Sequence, residues 1–176
     1  MDTERIDSLI LKLQDPTNDS SYYYSDELAE EGSEYVLKEL INLLSISDND
    51  EVKYLAARTL GLIENNESAY EELLAAINNK NNNSCSGGLT EALEGFDLSA
   101  RFVDIFKLYL FGNLKTSGLA KRLLDYEEFD ITPRVIRKSE KHWNHYKNNV
   151  KHDESFEVTK IEVEGFLDDL KSMFEE

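Results

Sequence analysis

Four side chains of types used in nucleophilic catalysis or metal binding stand out, namely Cys85, His142, His145 and His152. A Cys–His pair could form a thiol protease, and His142 and His145, at i and i+3 on a predicted helix, could bridge a metal. However, Cys85 is the only cysteine, and no carboxylate close to the two histidines completes a known zinc pattern. We therefore predict no catalytic residue, no metal site and no cofactor.

Other sequence signatures of enzymes or metal sites are incomplete or absent. Asp15, Thr17 and Asp19 follow the first positions of a calcium loop, but the sixth position is not Gly and the twelfth is not Glu. There is no Gly-rich phosphate loop after a strand and no nucleophile elbow. No motif therefore supports an enzyme, and we expect a protein without catalytic activity.

The best candidates for a binding site are three consecutive tyrosines followed by acidic residues. Tyrosine buries a large area at low entropic cost, and the adjacent carboxylates could meet Arg or Lys on a partner. The alternative is that two of the three tyrosines pack against the first hairpin, since adjacent residues cannot all face inward. A further tyrosine and a later acidic cluster add a second surface. The predicted partner-binding residues are Tyr22, Tyr23, Tyr24, Asp26, Glu27, Glu30, Glu31, Tyr54, Asp125, Glu127, Glu128 and Asp130.

The charge balance restricts the class of partner. The 176 residues contain 19 Lys and Arg against 36 Asp and Glu, a net charge of −17. Phosphate backbones and anionic membrane surfaces would repel such a chain, which disfavours nucleic acid and membrane as partners. We expect a basic protein partner, because the negative electrostatic field of the chain would accelerate encounter with it. The alternative is that the charge only maintains solubility.

The segment 134–151 is positively charged, in contrast to the chain as a whole. It carries Arg134, Arg137, Lys138, Lys141, Lys147 and Lys151 against Glu140 alone. Trp143 and Tyr146 alternate with these cations, as in nucleic-acid-binding segments, but they belong to the apolar stripe of the predicted helix. We expect the helix to dock its cations on acidic neighbours, and a second binding site is the alternative.

The elements that must position these residues are helices. Apolar residues recur at helical spacing through most of the chain, which has only two prolines. The predicted hairpins span about 2–31, 34–65, 68–97 and 99–128, followed by helices at about 132–150 and 155–175. Within these, we expect one helix to be capped by Ser25 or Asp26, another to be capped by Asp48 or Asp50, and a mobile loop over 78–88. Alternating apolar residues leave 153–163 open as strand, loop or helix.

The hairpins repeat at one period. The last apolar residues of the first helices, Leu13, Leu44, Ile77 and Leu110, are 31, 33 and 33 residues apart. The corresponding residues of the second helices, Leu28, Leu60, Leu93 and Leu124, are 32, 33 and 31 residues apart. Such a period is typical of stacked helical hairpins.

The central hairpin resembles a HEAT repeat. The residues that carry the resemblance are Leu43-Leu44, Asp48, Asp50, Val52-Lys53, Ala56-Ala57, Leu60-Gly61 and Ile63. The resemblance implies an all-α, right-handed α-solenoid of about four HEAT-like hairpins with one or two extra C-terminal helices. From the chain length we expect a single domain over 1–176. Lys53 stands where the family usually has Arg, and lysine lacks the bidentate geometry of that Arg.

In size, charge and class the chain is also similar to bacterial immunity proteins, which block toxins such as contact-dependent-inhibition nucleases. This similarity implies an acidic inhibitor that occludes the active site of a basic toxin. The alternatives are a HEAT-like scaffold or regulatory subunit, and a DNA-binding or nucleobase enzyme on the same fold. We expect a cytoplasmic protein, because no stretch is long enough to span a bilayer and the acidic N-terminus lacks signal-peptide features.

Overall fold

The computed structural model describes residues 3–15 and 19–174, and all regular structure within these ranges is helical. The predicted all-α class is therefore confirmed. The chain divides into two compact units, Met1–Asp97 and Leu98–Glu176. The single domain expected from the sequence stays a prediction. The predicted helix ends at residues 2 and 175, and Thr17 of the rejected calcium loop, lie outside the described residues.

The first unit consists of three helical pairs. Its helices are α1 (Thr3–Leu13), α2 (Ser21–Glu31), α3 (Glu34–Ile46), α4 (Asp50–Leu62), α5 (Tyr70–Asn78) and α6 (Ser86–Glu91). Short 3-10 turns lie at Glu67–Ala69, Lys80–Asn82 and Ala92–Gly95. Within the unit, α1, α3 and α5 contact one another in order, and α2, α4 and α6 do likewise. Each pair thus covers the apolar face that its neighbour exposes.

The starts of two helices differ from the sequence-based expectation. Asn49 caps α4, since its Oδ1 accepts a hydrogen bond from the Glu51 N–H at 2.9 Å, so the expected cap at Asp48 or Asp50 is wrong. α2 begins at Ser21 rather than after a cap at Ser25 or Asp26. The reason is that Ser25 is fully buried and its hydroxyl bonds to Thr59 of the next hairpin instead of capping a helix. The three tyrosines at 22–24 therefore lie inside α2.

The asparagine-rich tract is mostly ordered secondary structure, and the loop predicted over 78–88 is wrong for most of its length. Asn82 is only 2% exposed. Its Oδ1 accepts a hydrogen bond from Lys53 Nζ at 2.7 Å, and its Nδ2 donates to the Ala76 carbonyl at 2.9 Å. A lysine in the position of the family's arginine therefore still links neighbouring hairpins, because a single amide acceptor does not require bidentate geometry.

The second unit contains four helices, α7 (Phe102–Phe111), α8 (Leu114–Tyr126), α9 (Pro133–Asn149) and α10 (Glu154–Ser172). α7 packs on α8 and α9, and α9 packs on α10. Thr132 caps α9 ahead of Pro133, and Asp153 caps α10. The segment 153–163 is therefore helical from Glu154 onward, which settles the alternative that the sequence left open.

α9 turns its apolar stripe inward and its cations outward. Trp143 is buried and stacks on Tyr146 and Phe156, with ring centroids 5.7 Å and 6.1 Å apart. Of the six bases between 134 and 151, only Lys147 forms an ion pair within the described residues, with Glu164 at 3.5 Å. The expectation that this helix docks its cations on acidic neighbours is wrong, because most of them point away from the packed face.

Candidate protein-binding surface

Arg58 of α4 is the centre of a cluster that joins α4 to α2. Its Nη1 donates to Ser25 Oγ at 2.6 Å and to Asp26 Oδ1 at 2.8 Å. Its guanidinium carbon lies 5.2 Å from the centroid of the Tyr22 ring, which gives a cation–π contact. Tyr22 in turn meets Tyr54 edge to face at 6.4 Å. We call Tyr22, Asp26, Tyr54 and Arg58 the Arg58 cluster.

Two small polar side chains set the close approach of the helices beneath this cluster. The hydroxyls of Ser25 and Thr59 are 2.8 Å apart, and both residues are fully buried. Thr59 donates its only hydroxyl hydrogen to the Leu55 carbonyl at 2.7 Å, so Ser25 must be the donor to Thr59. The remaining lone pair of Ser25 then accepts from Arg58. The guanidinium is held in place by a chain of satisfied hydrogen bonds.

Tyr54 connects the Arg58 cluster to α6. A Cβ atom added to Gly88 would come within 2.8 Å of Tyr54 Cδ2, so glycine is needed for the ring to lie against α6. Burial, followed by the hydrogen bond with Tyr22, raises the pKa of Tyr54. The Tyr54 hydroxyl therefore keeps its proton at physiological pH and can donate a hydrogen bond to a partner.

Beyond Tyr54, backbone contacts close the gap between α4 and the 3-10 turn Ala92–Gly95. A Cβ atom at Gly95 would lie 1.7 Å from the Gly61 carbonyl oxygen. Asn66 fastens the same junction, because its Nδ2 donates to the carbonyls of Leu60 and Gly95 at 2.8 and 3.0 Å. A groove of about 380 Å³ runs over this floor, lined by Tyr54, Arg58, Gly61, Leu62, Gly88, Glu91, Ala92, Glu94 and Gly95.

A second groove, of about 520 Å³, lies where α2 and α4 end. It is lined by Asp26, Ala29, Glu30, Glu31, Gly32, Leu62, Ile63, Glu64 and Asn65. The C-terminal ends of both helices add partial negative charge to that of the carboxylates. Leu62 is 49% exposed and borders both grooves, so the two form one continuous surface. We call this surface, from Tyr22 to Glu91 across α2, α4 and α6, the acidic surface.

The carboxylates of the acidic surface differ in how they are compensated. Asp26 is paired with Arg58, and Glu31 lies 4.0 Å from Arg5. Glu30 and Glu64 form no ion pair with any residue that the structure describes. These two exposed glutamates are therefore available to a cation from outside.

Three of the predicted residues face α1 rather than the acidic surface. Glu27 accepts a hydrogen bond from Arg5 at 2.7 Å, and its bond to the Tyr23 hydroxyl raises the pKa of that tyrosine. Tyr24 lies under Lys12, whose Nζ is 5.4 Å from the ring centroid. Of the tyrosine run, only Tyr22 contributes to the Arg58 cluster, because successive helical residues point in different directions.

The predicted acidic cluster of Asp125, Glu127, Glu128 and Asp130 lies in the second unit. Tyr54, which was grouped with this cluster from the sequence, lies in the first unit. Asp125 pairs with Lys121 at 3.1 Å on α8. Glu127, Glu128 and Asp130 are exposed in the segment that follows this helix. These three residues do not line either groove of the acidic surface.

Sequence reasoning missed Arg58, Leu62, Glu64 and Glu91. Arg58 follows Tyr54 at i+4, a spacing that places two side chains on one helical face and could have been noticed. The roles of Leu62 and Glu64 depend on which helix end lies beside them. That neighbour is set by packing between hairpins and has no local signature.

The side chains with catalytic potential are divided between the two units. Cys85 lies in the first unit and the three histidines in the second. Burial, followed by a hydrogen bond with Asp50, raises the pKa of Cys85, which disfavours a thiolate. Burial likewise lowers the pKa of His142, and His152 stacks on Phe156 at 4.0 Å. Across residues 3–15 and 19–174, no three His, Cys, Asp or Glu side chains are grouped to hold a metal.

Comparison of the chain with protein-family models, curated proteins and solved structures gave no match. In the described part of the chain, no helix is both long and apolar enough to cross a bilayer. The geometry of the side chains is therefore the basis for the function proposed below.

Proposed function

We propose that this chain is a non-enzymatic protein-binding module whose acidic surface captures a basic polypeptide segment. The observation that carries the proposal is the groove at the ends of α2 and α4. There, Glu30 and Glu64 are unpaired among the described residues, two helix C-termini converge, and Leu62 supplies an exposed apolar contact. A lysine or arginine side chain with its aliphatic stem matches this combination of charge and apolar area.

The Arg58 cluster supports the same partner chemistry. Asp26 and Tyr22 already hold a guanidinium by an ion pair and a cation–π contact. The cluster also fixes the tyrosine rings, so little side-chain entropy is lost when a partner packs on them. The net charge of −17 would accelerate encounter with a basic protein, while the grooves select among such proteins.

For the fold, we further propose the right-handed HEAT-like solenoid of about four hairpins expected from the sequence. The ordered contacts of first helices with first helices, and of second with second, support it within the first unit. The link between Lys53 and Asn82 adds a polar contact between neighbouring hairpins of the kind that the resemblance implies. In such a fold the second helices form one face, as α2, α4 and α6 do here.

The finer function that we propose is inhibition of a basic, nuclease-type toxin in a bacterial cytoplasm. The carboxylates would take the place of substrate phosphates, and the tyrosines would fill the mouth of the active site. A HEAT-like scaffold or regulatory subunit is the second candidate, because the same surface would serve any basic ligand. Protection of cells that express a basic nuclease domain encoded beside this chain favours the inhibitor, whereas binding without protection favours the scaffold.

A charge-reversal experiment tests the acidic surface. We expect a fluorescent peptide rich in lysine and arginine to bind the chain at low ionic strength, and Glu30→Lys/Glu64→Lys to weaken binding by about tenfold or more. Fluorescence anisotropy over a salt titration measures both effects. The matched control is Glu127→Lys/Glu128→Lys, which makes the same change in net charge at exposed residues of the second unit.

The two variants separate a defined site from bulk charge. Loss of affinity in the groove variant with near-normal affinity in the control supports the acidic surface. Equal loss in both variants would show that only net charge matters, and no binding by the unchanged chain would refute the proposal.

A further inference from the structure

The outer face of α9 carries a compact group of cations. Arg134, Arg137, Lys138 and Lys141 are spaced at i, i+3, i+4 and i+7, which places them on one side of the helix, and all four are exposed. They extend over roughly 10 Å of helix at 1.5 Å per residue. We call these four residues the basic strip.

The basic strip has no ion-pair partner among residues 3–15 and 19–174. Its four residues form no ion pair with the described part of the chain, although the flanking residues do. Glu140 pairs with Lys171 at 3.0 Å, and Lys147 pairs with Glu164 at 3.5 Å. Like charges at i and i+4 repel each other and weaken a helix. The four cations are therefore available to an acidic partner from outside the chain.

His142 of α9 lies close to charged groups of both α7 and the strip. After burial, the nearby charges of Lys107, His145 and Lys138 are the main causes that lower the pKa of His142, while Asp104 acts in the opposite direction. His142 lies one residue beyond Lys141, so it reports the field at the C-terminal end of the strip.

An exposed apolar side chain lies at that same end. His145, one turn after Lys141, contacts the Phe111 ring with centroids 5.9 Å apart. Phe111 is 48% exposed, and Leu114, three residues later, is 93% exposed. A row of cations thus leads to an uncovered apolar contact within the second unit.

We propose that the basic strip is a docking site for a short acidic segment of another protein, whose carboxylates meet the four cations and whose apolar side chain contacts Phe111. The site is separate from the acidic surface and does not depend on the function proposed for it. A short segment suits the strip because it ends before reaching the acidic residues that surround α9.

Nucleic acid is a poorer match to the same cations. The strip is poor in rings for base stacking, since Phe111 already contacts His145 and Tyr146 and Trp143 is buried on the opposite face. A long phosphate backbone would also run past the strip into the field of a chain with a net charge of −17. A second copy of the chain carries the complementary acidic surface, but it brings the same net charge and the same repulsion.

The test uses a fluorescent glutamate-rich peptide that carries one leucine, with the full chain at low ionic strength. We expect binding that salt weakens, and a loss of about tenfold or more in Arg137→Glu/Lys138→Glu. The control, Lys38→Glu/Lys80→Glu, changes the net charge equally at exposed residues of the first unit and should bind nearly as well as the unchanged chain. Circular dichroism confirms that each variant is folded, and Arg137→Gln/Lys138→Gln replaces the reversal if it is not.

A second readout follows His142 by NMR. Peptide carboxylates at the strip should offset the charges of Lys107 and Lys138, so the pKa of His142 should rise on binding. The proposal is overturned if the unchanged chain does not bind the peptide, or if the control loses as much affinity as the strip variant. Tighter binding of duplex DNA, or salt-sensitive dimerisation, that is lost in the strip variant would also overturn it, by assigning the strip to nucleic acid or to a second copy.

Discussion

The acidic surface and the basic strip differ in whether their charges are compensated by other residues of the chain. In the acidic surface, Asp26 is tied to Arg58, so part of the negative charge is already compensated from inside the chain. In the basic strip, no described residue compensates any of the four cations. The acidic surface is also assembled from three helices, whereas the strip lies along one. Net charge therefore does not indicate which charges of a protein are available to a partner.

This difference determines what substitutions can show. Residues of the acidic surface also hold α2, α4 and α6 together, so changes there affect both stability and binding. The side chains of the strip are exposed and form no ion pair with the described residues, so changes there should affect binding far more than stability. Measurements of the free energy of unfolding can therefore test this difference between the two sites.

The largest effect is expected at the floor of the acidic surface. Gly95→Ala would place a Cβ atom 1.7 Å from the Gly61 carbonyl oxygen, and backbone on both sides would have to move. We expect a loss of about 3 kcal/mol in the free energy of unfolding, measured with urea. The control is Gly118→Ala in α8, where a Cβ atom meets nothing within 4 Å. That change should stabilise the protein by about 1 kcal/mol, because alanine favours helix. Equal effects would contradict the close contact.

A smaller effect is expected for the arginine inside the acidic surface. Arg58→Met keeps an aliphatic stem but removes the bonds to Ser25 and Asp26 and the contact with Tyr22. We expect a loss of about 2 kcal/mol in the free energy of unfolding, since hydrogen bonds to a charged group are lost from a partly buried site. Arg5→Met is the matched change at a more exposed side chain, 56% against 26%, and should cost less than about 1 kcal/mol. If the two losses were equal, the surface would not be organised around Arg58.

The hairpins were predictable because their signal is local. Apolar residues at helical spacing set the helix faces, and caps such as Thr132 before Pro133 mark helix starts. The helix limits accordingly lie close to those expected, apart from α2, where a buried Ser25 removes the apparent cap, and α6, which begins at Ser86 inside the predicted loop.

The sites were predictable only in part, because their polar contacts join residues far apart in sequence. Asn82 is ordered by Lys53, which lies 29 residues away, so its tract has the composition of a loop without being one. Arg58 meets Asp26 from 32 residues away. Tyr22 and Asp26 were identified by type, but their grouping with Arg58 required the packing of α2 on α4.

The smallest effect on stability is expected at the basic strip. Arg137→Gln/Lys138→Gln should leave the free energy of unfolding within about 0.5 kcal/mol of the unchanged chain, because neither side chain has a partner among the described residues. The direction of this small change in the free energy of unfolding is also predictable. Removing like charges at i and i+4 relieves repulsion within α9, so the variant should be slightly more stable at low salt, and the difference should vanish as salt is added. Urea unfolding at two ionic strengths measures both. A loss of more than about 1 kcal/mol would mean that these cations support the fold, and the contrast with the acidic surface would fail.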